Sequence, residues 1–253
     1  MCAGGGDISV SGDNGATMTV LEHLAELRCR LMAAGAAFLA ASVAAFAAAE
    51  PIRRFMLRPA GELTLVYFSP PEAFTAQLKL ALLAGAVLAS PVILYELFAF
   101  IYPALTPFEK RTCLRALAGM ALLFCGGAAF AYLLVFPLVL RFLLDYAGSG
   151  VSPKLALGDY ISFFFTFHLF LGILFQLPLA AWTLGRLGLA RAGVLRRGRK
   201  YALLLVLILA AVLTPPDPFT QLLLALPLLL LYELCILMAA AGWRSRCREI
   251  ASP

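Results

Sequence analysis

Six segments of the chain, about 29–49, 74–98, 112–136, 159–182, 201–214 and 219–241, are mostly apolar. A helix rises 1.5 Å per residue, so about 20 apolar residues cross the ~30 Å hydrocarbon layer of a bilayer. Of the 253 residues, 62% are hydrophobic and 13% charged. A soluble domain carries roughly 25% charge, so too little is present to cover a water-facing globule. Disorder needs low hydrophobicity and high net charge and is excluded. Six cysteines spread over the whole length do not make a disulfide scaffold. The expectation is an all-α, polytopic membrane protein with six transmembrane helices.

The fifth segment, YALLLVLILAAVL, is short of a full crossing, and Thr214-Pro215-Pro216-Asp217-Pro218 follows at once. Proline cannot continue a helix. The fifth and sixth helices are therefore expected to be a short hairpin whose turn lies inside the outer leaflet. Irregular backbone at that depth must be buried in protein or face a watery cavity, which predicts a concave groove there. Residues 1–20 are expected to be a flexible Gly-rich tail, 21–242 the transmembrane domain and 243–253 a short cytoplasmic tail. No secretory signal or lipidated N-terminus is expected, because no apolar segment precedes Cys2.

Fourteen of the twenty basic residues fall on one side of these spans: Arg28, Arg30, the Lys110–Arg115 group, the Arg186–Lys200 group and the Arg244–Arg248 group. Five fall on the other and Lys79 lies within the second span. The positive-inside rule then puts both termini in the cytoplasm. Trp182 and Trp243 fall where interfacial anchors belong. The formal charge of +6 is thereby topology and not nucleic-acid affinity. No cysteine lies in an expected outer loop, so no disulfide is expected. No internal repeat links the first three spans to the last three, which weakens a transporter reading.

The chemistry of an enzyme is missing. There is no G-x-x-x-x-G-K-[ST] loop, no G-x-S-x-G elbow and no His/Cys/carboxylate cluster at metal spacing. His168, within FFFTFHLFL, is expected to make an interhelical hydrogen bond. No catalytic residue, metal or cofactor is expected. The functional candidates are carboxylates and polar groups near or within the spans. Glu22 and Glu26 share one face of an interfacial segment, either as a solvated face or as a site for a cationic ligand. Glu109 lies in the Phe98–Arg111 loop, bracketed by Pro103 and Pro107 among aromatics. There it is either simply solvated or presented to bind a guanidinium, whose paired geometry lysine cannot copy. Gln176, Asp217 and Glu233 are the remaining polar groups; each either bonds a neighbouring helix or helps line the groove. A secondary transporter of a small solute, using Lys79, Glu96, Gln176 and Glu233, is the alternative from another class.

These strings together resemble the TatC family, the receptor subunit of the twin-arginine protein translocase. The resemblance rests on His23-Leu-x-Glu26-Leu-Arg28, Ser90-Pro91-Val-Ile-Leu-Tyr95, Ala99-Phe100 and Tyr102-Pro103-Ala-Leu105, then Glu109. It continues through Ala129-Phe130-Ala-Tyr132, Val135-Phe136-Pro137, Phe175-Gln176-x-Pro178 and Leu213-Thr-Pro-Pro-Asp217 with Gln221. It implies a bacterial inner-membrane protein that binds twin-arginine signal peptides of folded export substrates, driven by the proton-motive force. It also implies that Glu26 and Glu109 bind the arginine pair, with Arg28, Pro59, Phe100, Tyr132 and Asp217 at other sensitive positions. Gln176 stands where relatives carry Glu or Gln. The implied partners are TatA, TatB and membrane lipid, within a complex holding several copies of the chain.

Overall fold

The computed structural model describes residues 20–61, 65–101, 107–145, 155–213 and 217–251. Ten α-helices run through them: α1 (Val20–Ala47), α2 (Ala49–Leu57), α3 (Pro70–Ile101), α4 (Pro107–Phe130), α5 (Phe136–Asp145), α6 (Leu157–Leu174), α7 (Leu177–Leu187), α8 (Ala192–Arg197), α9 (Arg199–Leu213) and α10 (Pro218–Ala251). Among the described residues, five stretches are long and apolar enough to cross a bilayer: Leu24–Ala47, Pro70–Leu97, Gly119–Leu144, Leu157–Leu187 and Pro218–Cys247. The remaining span, fifth in chain order, is α9, whose 15 residues extend roughly 22 Å at the helical rise. The expected short fifth helix is thus present. The sixth is not short: α10 runs 34 residues. Residues 243–251, expected in a C-terminal tail, continue it, because the polar stretch after Trp243 holds no glycine or proline. The proposed N-terminal tail falls, except for Val20, outside the described residues.

The interfacial segment at Glu22–Arg28 is not separate from the first span. No glycine or proline interrupts the chain between Leu21 and Leu31, so α1 runs unbroken through both. Three prolines in or beside the other spans leave a mark. Pro91 lies inside α3 and lacks the N–H that would bond the Val87 carbonyl; the Ser90 hydroxyl donates to that carbonyl instead, at 2.6 Å. Ahead of Pro137 the helix widens into a π turn, Ala131–Val135, and then continues as α5 nine residues beyond the expected end of the third span. The expected fourth span divides at Phe175–Gln176, ahead of Pro178.

α1 packs along α3, α7 along α10, and α6 against both α3 and α4. The close crossings use small residues, as membrane helix pairs do. A Cβ on Gly85 of α3 would lie 2.6 Å from the Ser42 Cα of α1. Around the π turn, the fully buried Phe136 meets Tyr160, Phe164 and Phe167 edge-on. The other side of α1 presents Leu31, Leu39 and Val43 outward, as a lipid-facing surface should.

The segment between α1 and α3 folds as a cap over one end of the bundle. The Tyr132 hydroxyl donates to the Phe55 carbonyl at 3.1 Å and Tyr160 to the Met56 carbonyl at 2.8 Å. A short 3-10 turn, Arg58–Ala60, follows and closes at Gly61, whose φ of 64° favours glycine. Two-residue strands β1 (Leu65–Val66) and β2 (Leu155–Ala156) then pair in parallel.

Candidate functional site

At the end of the bundle away from that cap, α1 and α3 bring together three charged side chains. The guanidinium of Arg30 donates to Glu96 Oε2 at 2.9 Å and lies 3.5 Å from Glu26 Oε1. Glu26 and Arg30 are one helical turn apart, a spacing that favours such pairs. All three side chains are half-buried. The second Glu26 oxygen, Oε2, is buried with no hydrogen-bond partner. A buried polar atom left unpaired costs about 1–3 kcal/mol, and more when charged. Arg28 is exposed beside the cluster and Phe100 is half-buried at the end of α3.

Glu109, expected in a loop, belongs instead to the first turn of α4. α3 reaches Ile101 and α4 begins at Pro107, with residues 102–106 outside the described residues. The physical reason is Pro107: its fixed φ and missing N–H suit the first helical position, and an acid in that first turn suits the helix dipole. The Glu109 side chain lies outside the described residues, as do those of Glu22 and His23.

The remaining candidates are dispersed. Gln176 occupies the break between α6 and α7, where its amide donates to the carbonyls of Met120 on α4 (3.2 Å) and Gly172 (3.3 Å), leaving Oε1 buried and unpartnered. Tyr132 stacks on Phe55 at 4.4 Å and, with Val87, Leu88, Phe164 and His168, lines an apolar cavity of about 390 Å³. None of its lining residues comes from α9 or α10, where a groove was expected. Small residues (Ala84, Ala128, Ala129) open it below the cap. Pro59 lies in the 3-10 turn, half-buried. His168 does not bond a neighbouring helix: Nδ1 donates to the Phe164 carbonyl of its own helix at 2.6 Å, and Nε2 has no partner.

Asp217 caps α10. Its carboxylate accepts the backbone N–H of Thr220 at 2.7 Å and also the Thr220 hydroxyl, with Pro218 at the first helical position. The Thr220 hydroxyl, then the Thr220 and Phe219 amides, hold this carboxyl below its ordinary range. A depressed carboxyl stabilises the fold at neutral pH and loses that contribution as pH falls through its lowered value. Asp217→Asn, which keeps one acceptor oxygen but not the charge, is expected to retain part of the cap and to melt slightly below the wild type at pH 7. Asp217→Ala should melt a few degrees lower in detergent, and both should lose the acid-dependent part of the transition.

Sequence reasoning missed Arg30 and the role of Glu96, which it weighed only for a solute site. The i, i+4 spacing of Glu26 and Arg30 was readable, but Glu96 is 66 residues from Arg30 and meets it only through helix packing. The four groups weighed for a transporter do not converge. Lys79 is exposed, Glu96 pairs with Arg30, Gln176 bonds α4, and Glu233 pairs with Arg199 at 2.7 Å. No cluster of three or more potential metal ligands occurs among the described residues.

Comparison with known proteins agrees with this architecture. Residues 22–227 match the family described as Sec-independent protein translocase protein (TatC). The TatC protein of Carboxydothermus hydrogenoformans is 40% identical over 225 residues, 88% of this chain and 93% of that protein. TatCy of Bacillus subtilis is 35% identical, over 93% of this chain and 94% of its own. TatC of Aquifex aeolicus is 38% identical, over 90% and 98%. A crystal structure described as the twin arginine translocase receptor TatC superposes with a TM-score of 0.77 at 39% identity, covering 87% of this chain and 99% of that one. The same receptor crystallised in DDM gives 0.79 at 38% identity, covering 86% and 99%. The chain belongs to the TatC family: it is a multi-pass membrane component of the Sec-independent, twin-arginine protein translocase, and not an enzyme.

Proposed function

We propose that this chain recognises export substrates by binding the two arginines of their signal peptides on Glu26 and Glu109. A carboxylate accepts two parallel N–H bonds from a guanidinium, a fork that lysine cannot offer. The observation that carries the reading is the Glu26 carboxylate, half-buried, with one oxygen beside Arg30 and the other buried and unpartnered. Arg28 and Phe100 would border the bound motif. Charge asymmetry along the chain supports a cytoplasmic location for this end and for both termini, in the inner membrane of a bacterium.

The apolar part of the peptide would lie along the membrane-embedded surface, where Tyr132, Pro59, Gln176 and Asp217 would shape the groove and its contacts with partner subunits. Gln176, a neutral amide, offers a hydrogen bond there but no charge. The partners in this reading are TatA and TatB, lipid, and further copies of the chain. The proton-motive force would supply the energy. Site-specific crosslinking tests the placement. A photoreactive residue beside Glu109, at Phe108 or Lys110, should crosslink to a twin-arginine signal peptide in native membranes, whereas one at Leu65, in the opposite cap, should not. The reverse pattern would contradict it.

A further inference from the structure

We infer that Glu96 and Arg30 set the affinity of the Glu26 site, with Glu96 acting as the counter-ion that keeps Arg30 from occupying Glu26 itself. This inference rests on the reading of Glu26 as an arginine acceptor. Arg30 is a resident guanidinium, of the same chemistry as the proposed ligand, one turn from that acceptor. Left alone with Glu26 it would form the paired contact that the signal peptide is meant to form, and the site would be closed by its own chain. The geometry shows Arg30 divided between the two carboxylates, ion-paired with Glu26 through one nitrogen and hydrogen-bonded to Glu96 through the other. Arg30 lies at hydrogen-bond distance, 2.9 Å, from Glu96 but only 3.5 Å from Glu26 Oε1, and Oε2 is left without a donor. Glu96 reaches Arg30 because α1 and α3 pack side by side.

Two carboxylates and one guanidinium carry a net charge of −1. Without Glu96 the cluster is neutral and Arg30 turns fully onto Glu26. Without Arg30 it carries −2, and an incoming cation meets a stronger field and no competitor. Glu96 and Arg30 are therefore positioning residues whose effects oppose and cancel. A purely structural ion pair has a different signature, since removing either partner, or both, would then impair the site in the same direction.

The test uses the full-length chain in detergent micelles and a fluorescent signal peptide bearing Arg-Arg. Glu96→Gln should weaken binding by about tenfold and Arg30→Gln should strengthen it several-fold, the scale of close charge pairs at interfaces. The double variant Glu96→Gln/Arg30→Gln should return to about the wild-type affinity. Glu96→Asp, which keeps the charge, should stay near wild type, and an unchanged melting temperature certifies each fold. If Arg30→Gln weakens binding, or the double variant stays as weak as Glu96→Gln, the inference is overturned. Glu26→Gln separates the two levels. If it binds the peptide as the wild type does, the acceptor reading itself fails. If it loses binding while the Glu96 and Arg30 series stays flat, only the present inference fails.

Discussion

Glu109→Ala is expected to lower the affinity for a twin-arginine signal peptide by about ten- to a hundredfold, and Glu26→Ala by a similar factor. Each carboxylate would give up charge-assisted hydrogen bonds of about 1.5–3 kcal/mol, and each 1.4 kcal/mol is tenfold in affinity. If each carboxylate holds one arginine, the double variant should lose nearly the product of the two factors, because sites without shared partners add. A much smaller combined loss would place both carboxylates on the same arginine. Glu109→Gln should lose most of what Glu109→Ala loses, since the amide keeps the shape but presents only one acceptor and no charge. The measurement is equilibrium binding of a labelled peptide to the purified chain, with melting temperature as the control for folding.

Gly85→Ala is expected to be the most damaging single methyl added to the α1–α3 pair. The new Cβ would sit 2.6 Å from the Ser42 Cα and 2.7 Å from its backbone N. Backbone cannot turn aside as a side-chain tip can, so the helices must separate. Overpacking of this kind costs about 1–3 kcal/mol. Separation has a second consequence, because Arg30 and Glu96 meet across the same helix pair. Gly85→Ala should therefore lower both the melting temperature and the affinity for the peptide. Gly35→Ala is the matched comparison: it lies on α1, the other helix of the pair, and its Cβ meets nothing within 4 Å. There alanine gains up to about 1 kcal/mol of helix propensity, and stability should hold or rise. Equal losses at the two glycines would show that close packing of α1 on α3 is not what holds this face together.

The spans were legible because long apolar runs have few other readings, and the shortness of α9 was legible because the prolines after it leave helix no continuation. Interruptions inside spans were harder to read. Pro137 and Pro178 stand in the sequence, yet whether the chain answers a missing N–H with a π turn, as before Pro137, or with a break, as at Gln176, depends on neighbours that only packing supplies. The extent of α10 was misjudged because polarity after Trp243 marks the exit from lipid and not the end of helix. Of the proposed arginine site, Glu26 and Glu109 emerged from their residue types and from family resemblance, whereas Glu96 did not. Its partner Arg30 is distant in sequence, and nothing local to LYELF announces that α1 lies against it. Glu109 was legible as a residue but misplaced as a loop, although Pro107 two positions earlier is a helix-start signal.

The central claim is that carboxylates on this face select guanidinium over ammonium. It is tested most directly by measuring, with the wild-type chain in one buffer of fixed salt, the dissociation constants of two signal peptides that differ only in Arg-Arg against Lys-Lys. The Arg-Arg peptide is expected to bind at least about tenfold more tightly, the worth of roughly one lost charge-assisted hydrogen bond, and the ratio should shrink in Glu109→Ala. Equal affinity of the two peptides for the wild type would contradict it, because attraction between net charges alone does not distinguish the two cations.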